Sequence, residues 1–156
     1  MKKRLVLPLL IFSVLLNVFL VLKSPGEQDK KEELQGTVVR VIDGDTFDLE
    51  GEVRIRLAGV EAPEYPKGCL SNQAKERLEE LILGKEVEIE VIEKDNFGRQ
   101  IGFIRVGDVF IDKILVEEGL ARVVLYSKRK KLKHQDEFIQ AEREAKEKNL
   151  GIWEKK

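Results

Sequence analysis

The stretch V-V-R-V-I-D-G-D-T-F-D-L, Val38 to Leu49, decides how the rest of the chain is read. Val38, Val39, Val41 and Ile42 form a β-branched apolar run, Asp43-Gly44-Asp45 has the composition of a tight turn, and Thr46-Phe47-Asp48-Leu49 answers it. Apolar runs joined by Asp-Gly are the strongest short-range sign of a hairpin. Outward from this pair, Val53, Ile55 and Leu57 alternate with Arg54 and Arg56, and one of the two arginines is expected to face into the sheet and the other out. Val87, Ile89 and Val91 alternate with Glu88 and Glu90, and the turn D-N-F-G at Asp95 leads into a fifth run from Arg99 to Arg105.

Between the third and fourth strands the spacing predicts a helix capped by Ser71 or Asn72, with an apolar stripe of Ala74, Leu78, Leu81 and Ile82, stopped by Gly84. A short second helix is expected from about Asp112 to Glu118, ended by Gly119. A third runs from about Gln135 to Lys148, with Phe138, Ala141 and Ala145 on one face. Ile152 and Trp153 then pack back on the body. Five closely spaced strands joined by hairpins, with helices after the third and fifth, fit a small, mainly β, Greek-key barrel of the α+β class better than a parallel sheet.

The chain has 156 residues, enough for one domain with a proper core. Its formal net charge of −1 marks no nucleic-acid binder, but charge is unevenly spread. Residues 36–156 hold 22 basic and 25 acidic groups, yet R-V-V-L-Y-S-K-R-K-K-L-K, Arg122 to Lys133, has six basic residues and no acid. That run is the one strong candidate for phosphate contact. A single cysteine, Cys69, excludes an internal disulfide and reads as a small packed residue. One histidine, His134, and one cysteine exclude a thiolate–imidazole zinc site, and leave His134 alone to serve any Ser-His or Cys-His mechanism.

The N-terminus is read apart from the fold. Residues 1–4 are a basic cluster, Leu5 to Leu22 are 18 uncharged residues, and 23–35 read as a linker. The apolar run is longer than that of a signal peptide, ends without an A-x-A-like site, and is near the lower limit for crossing a bilayer. The expectation is an uncleaved single-pass transmembrane anchor in the cell membrane, with the N-terminus in the cytoplasm and the domain of residues 36–153 outside. Cleavage of the segment would instead give a secreted protein.

Asp43-Gly44-Asp45 lacks the further ligands of a helix-loop-helix calcium loop, and its bland reading is hairpin chemistry. In a small barrel, however, Asp45 and Glu61 can fall on neighbouring strands, so that two or three carboxylates converge as a hard cation such as Ca²⁺ requires. Glu61 and Glu64 bracket the Ala62-Pro63 step, and Arg56 and Arg99 lie on strands nearby. A metal, a free carboxylate and two guanidiniums in one cleft suit water attack on a phosphodiester. Such a reaction needs a group to position water and positive charge around the phosphate oxygens.

V-I-D-G-D-T, R-L-A-G-V-E-A-P-E, D-N-F-G-R, G-L-A-R-V and the Ala-rich helix ending N-L-G-I-W resemble the staphylococcal nuclease (thermonuclease) family, in order and spacing over residues 36–153. The resemblance implies an oligonucleotide-binding-type (OB-fold) five-stranded barrel with three helices. It also implies a calcium-dependent endonuclease, with one Ca²⁺ ion, that acts on DNA and RNA and leaves 3′-phosphates. Carried over by position, it implies that Asp45, Glu61 and the carbonyl of Ala62 hold the metal. Arg56 and Arg99 contact phosphate, and Glu64 activates or orients the attacking water.

Glu61 stands where the family has aspartate, and Phe97 where it commonly has tyrosine, the latter read as a packing residue. Leu125-Tyr126-Ser127 offers one stacking tyrosine, so Tyr126 with Lys128, Arg129 and Lys130 is the expected substrate-binding segment. No protein partner is implied, and a monomer is expected. The alternative is a non-catalytic, membrane-tethered nucleic-acid-binding module of the same fold, which would be free to lose Arg56, Glu64 and Arg99.

Overall fold

The computed structural model of the chain describes residues 32–125 and 131–155. The expected hairpin is present: β1 (Glu33–Val41) and β2 (Thr46–Leu49) are antiparallel, with Val41 opposite Phe47 and Arg40 opposite Asp48. β3 (Arg54–Leu57) continues the meander, pairing Thr46 with Arg56 and Asp48 with Arg54. On the other side, the first half of β1 pairs with β5 (Glu86–Lys94), and β5 with β6 (Gln100–Val106). A parallel pairing of β6 with β3, Arg56 opposite Ile101, closes the five long strands into a barrel.

Closure requires strong curvature, and two bulges supply it. The register shifts at Val39 in β1 and at Ile92 in β5, and both residues are exposed although apolar. A bulge leaves one residue unpaired and bends its strand. Along β3 the pattern is exposed, buried, half-buried, buried, so Arg54 and Arg56 both face outward. The inward arginine expected from the sequence is therefore corrected: residues two apart share a face in a strand of period two. The interior takes Val41, Phe47, Ile55, Leu57, Ile89 and Ile104.

Three short strands lie outside the barrel proper: β4 (Val60–Glu61), β7 (Val109–Phe110) and β8 (Arg122–Val123), with β4 pairing β8. Helix α1 (Ser71–Ile82) buries Ser71, Ala74, Leu78 and Ile82, while Leu81 stays half-buried. Its cap is Leu70, at a left-handed φ of 64°, with no side-chain bond, so neither Ser71 nor Asn72 caps it. Ser71 is drawn into the protein on the helix's buried face and has left the cap position. Helices α2 (Ile111–Glu117) and α3 (Gln135–Glu147) lie where their periodicity put them, and α3 buries Phe138, Ala141 and Ala145.

A 3₁₀ turn, Gly151–Trp153, follows, and Ile152 N–H donates to Gly119 carbonyl at 2.9 Å, returning the chain to the end of α2. Cys69 is exposed in the loop before α1, against the expected packed role, because the loop from Pro63 to Gly68 curls outward over the surface. No helix among the described residues is long and apolar enough to cross a membrane, and the apolar run Leu5 to Leu22 lies outside them.

Candidate active site

The turn after β1 is set by its own side chains. Asp43 accepts the Asp45 backbone N–H at 3.0 Å on its carboxylate, and Ile42 N–H donates to Thr46 carbonyl at 2.9 Å. Gly44 between them has no room for a side chain. A Cβ there would lie 2.6 Å from that of Ala62 and 2.7 Å from that of Ala74. The turn is thus wedged between the loop after β4 and helix α1.

Asp45 emerges from this wedge almost fully buried. Its Oδ1 pairs with the Arg56 guanidinium and accepts Thr46 Oγ1–H at 3.0 Å, and its Oδ2 accepts the Ala62 N–H at 2.9 Å. Burial drives the carboxyl up to about 6, against the pull of Arg56 and of the Ala62 bond, with Asp43 adding to the rise. One guanidinium and one N–H do not fully offset the lost hydration of this carboxylate.

Glu61 turns elsewhere. It stands opposite Arg122 in the β4–β8 pair and accepts Arg122 Nε–H at 2.9 Å. Glu64, three residues on, is exposed and makes no side-chain hydrogen bond or ion pair among the described residues. Its backbone is fixed nonetheless. Gly68 N–H donates to the Glu64 carbonyl, and a Cβ at Gly68 would meet Glu64 backbone nitrogen and Pro63 at 2.8 Å. Glu61, Ala62, Glu64 and Arg122 line one open cleft of about 280 Å³.

Arg99 immediately precedes β6, whose first residue, Gln100, lies opposite Ile55 of β3 at the barrel closure. The Arg99 Nε–H donates to Asp95 at 2.6 Å, while Asp95 also accepts the backbone N–H groups of Phe97 and Arg99. Desolvation raises the Asp95 carboxyl, but these bonds from Arg99 and Phe97 outweigh it and hold the group below its usual range. Phe97 is 86% exposed, with the Arg99 guanidinium 5.6 Å from its ring centre, which corrects the packing role expected of it. A turn of four residues at a hairpin tip has no core beneath it to receive a ring.

The structure therefore brings Asp45, Arg56 and the Ala62 backbone into direct contact and sets Glu61 and Glu64 in the adjoining cleft. It does not join Arg99 to them by a hydrogen bond. Among the described residues no three or more His, Cys, Asp or Glu side chains gather as a metal cage, so the expected convergence of carboxylates reduces to Asp45 with the segment Glu61–Ala62. Tyr126, Lys128, Arg129 and Lys130 lie outside the described residues.

His134 is enclosed by Phe103, Phe110 and Phe138, with ring centres 4.9, 4.4 and 6.4 Å away, which makes it part of the packing of α3. Sequence reasoning did not single out Arg122 or Asp95 as partners of site residues. Asp95 had a signal, since Asp at the head of a turn bonds backbone two residues on. Arg122 had none, as its pairing with Glu61 spans 61 positions.

Comparison with known proteins agrees with this geometry. Residues 54–155 match the family model described as staphylococcal nuclease homologue. The chain is 30% identical over 148 residues to a micrococcal nuclease of Shigella flexneri, covering 87% of this chain and 80% of that one. It is 38% identical over 130 residues to a thermonuclease of Staphylococcus intermedius, covering 76% and 75%. To endonuclease YncB of Bacillus subtilis (strain 168) it is 29% identical over 143 residues, covering 85% and 67%. A five-stranded barrel with three helices, a buried Asp–Arg pair at its edge and this extent of similarity make the chain a nuclease of the staphylococcal nuclease homologue family.

Proposed function

We propose that the protein is a calcium-dependent endonuclease that hydrolyses DNA and RNA, leaves 3′-phosphates, and works outside the cytoplasm from a membrane tether. The observation that carries the chemistry is the Asp45–Arg56 pair locked to Ala62, with Glu61 and Glu64 in the adjoining cleft.

The donor chemistry fits a hard cation. Asp45 is a buried carboxylate whose charge Arg56 leaves incompletely offset, and the adjoining segment adds a second carboxylate, Glu61, and the Ala62 backbone. Asp45, Glu61 and the Ala62 carbonyl would hold Ca²⁺, which accepts oxygen ligands in loose geometry and takes water for the rest. When bound, the ion supplies Lewis-acid polarisation of a phosphoryl oxygen.

The chain's own residues do the remainder. Arg56, anchored by Asp45, holds a fixed donor fork toward a phosphate and stabilises the charge that grows on its oxygens. Arg99, oriented by Asp95, supplies the second guanidinium. Glu64 is exposed on a tight loop and unpaired among the described residues, so its carboxylate is available to orient or deprotonate the attacking water. Tyr126, Lys128, Arg129 and Lys130 supply stacking and phosphate attraction. The run Leu5 to Leu22 supports the tether.

The test is a nuclease assay on single-stranded DNA and on RNA, with Ca²⁺ and then with excess chelator. Cleavage of both with Ca²⁺ and none with chelator is expected, and Mg²⁺ should support less. Undiminished cleavage in chelator would remove the ion from the mechanism, and binding without cleavage would favour the non-catalytic module.

A further inference from the structure

We propose that Arg40 and Arg54, organised around Asp48, form a second phosphate subsite that holds a single strand of DNA or RNA beside the bond Arg56 addresses. The proposal rests on the catalytic reading of Arg56 given above.

Arg40, Asp48 and Arg54 form one row across three strands, since Asp48 is opposite Arg40 on β1 and opposite Arg54 on β3. Asp48 is buried beneath the two arginines. Arg54 donates to it through Nε at 2.7 Å and Nη2 at 3.2 Å, and Arg40 through Nε at 3.0 Å and through Nη2. The bond from Arg54, then that from Arg40, holds the Asp48 carboxyl below its usual range, so it stays ionised and keeps both guanidiniums in place. Each arginine retains an Nη1 with no bond among the described residues, and the two side chains are 62% and 45% exposed. A guanidinium fixed on one edge and open on the other is preorganised to grip a second anion.

The placement relates this row to the reaction. Arg54 and Arg56 lie on the same outer face of β3, two residues apart, which is roughly 6.6 Å along a strand. That is close to the step between successive phosphates of a stretched single strand. The row forms one side of a groove of about 980 Å³ whose other side is Lys94, Phe97 and Gln100 of the β5–β6 hairpin. Phe97 offers an exposed ring to a splayed base, as single-strand binding surfaces do. The strand 2–3 face is also where barrels of this type bind oligonucleotides. Glu50 and Glu52 stand in the groove at the tip of the β2–β3 hairpin, and their charge ends the track there. The subsite therefore takes one phosphate next to the scissile one and no long extension.

The double variant Arg40→Gln/Arg54→Gln in the full-length protein tests this in two arms, with thermal melts to show that it folds. In kinetics, KM for a short oligothymidylate should rise roughly tenfold with kcat unchanged, while a thymidine dinucleotide, which has no second phosphodiester, should change less than twofold. In equilibrium binding of a labelled oligothymidylate without Ca²⁺, affinity should fall by a similar factor. The slope of log K against log salt should become shallower by about 0.7, the share of the one phosphate that the two arginines hold together. This second arm reads out even if the wild type cleaves nothing, which would refute the catalytic reading alone. Arg40→Lys/Arg54→Lys should restore the salt slope but only part of the affinity, since an ammonium cannot bond Asp48 and a phosphate as one fixed fork. Equal losses on dinucleotide and oligomer, or unchanged affinity and salt slope, would overturn the proposal.

Discussion

Arg56 offsets the buried charge of Asp45, and on the proposed reading it also presents donors to a phosphate; the two tasks separate on mutation. Arg56→Ala should lower kcat by roughly 10²–10³, the usual loss when one fixed donor to a developing charge is removed. It should also lower thermal stability more at pH 8 than at pH 5, because an Asp45 already raised to about 6 protonates readily once its partner is gone. Glu64→Gln should damage kcat comparably and leave stability within about 0.5 kcal/mol, since Glu64 is exposed and unpartnered among the described residues. Steady-state kinetics with parallel melts decide both. A normal kcat in either variant would move the chemistry elsewhere.

Asp112 sets a pH dependence of a different origin. It is fully buried at the start of α2, accepts the Ile104 N–H at 2.8 Å, and its Oδ1 has no partner among the described residues. Burial pushes it up to about 7, against the pull of backbone N–H groups. Between its unfolded value near 4 and about 7, the folded chain keeps a proton that the unfolded chain has shed. Stability from this group is therefore fully present below about pH 4, falls as pH rises to about 7, and is level beyond. Asp112→Asn should flatten that fall and gain on the order of a few kcal/mol at pH 8. Urea titrations at pH 5 and pH 8 measure it, and an unchanged pH slope would show that Asp112 is not the titrating group.

Among elements, the site depends on a wedge: the Asp43–Asp45 turn, the Ala62 loop and helix α1 meet at Gly44 with no space left. Gly44→Ala should cost roughly 1–3 kcal/mol, as overpacking does. It should also reduce kcat, because the displaced parts carry Asp45 and Ala62. The C-terminal return has its own lock. Gly119 and Gly151 have φ of 68° and 55° and lie against one another's backbone, so alanine at either should cost more than about 1 kcal/mol and loosen the end of α3 with little effect on kcat. Melting curves beside activity separate the two sites, and equal kcat losses in both would mean that general destabilisation, not the wedge, governs the site.

For the whole molecule, the proposed reading is that of a tethered enzyme with a basic approach to its substrate. The full-length protein should stay with the membrane fraction at its uncut size, and a mature N-terminus near residue 24 or later would show a cleaved signal instead. Neutralising Lys128, Arg129 and Lys130 should raise KM and flatten the salt dependence with kcat nearly unchanged, if that segment supplies attraction and not chemistry as proposed. A loss of turnover there, with Arg56→Ala still active, would place the site on the wrong part of the surface.

The five long strands, the three helices and the candidate residues Asp45, Arg56, Glu61, Glu64 and Arg99 were legible in the sequence, because each is marked by a local signal. Period-two alternation fixes the strands, a 3.6-residue stripe the helices, and Asp-Gly, Asn-Phe-Gly and Ala-Pro the turns between them. What joins these pieces was not legible. The parallel β3–β6 closure, the bulges at Val39 and Ile92, the claim of Arg122 on Glu61 and the burial of Asp45 all arise between segments distant in the chain. Local patterns state which face of a strand is apolar, but not which strand will lie beside it. Charge pairing and desolvation follow from that neighbour, so only the closed barrel decides which carboxylate is strained, which is satisfied and which is left free to act.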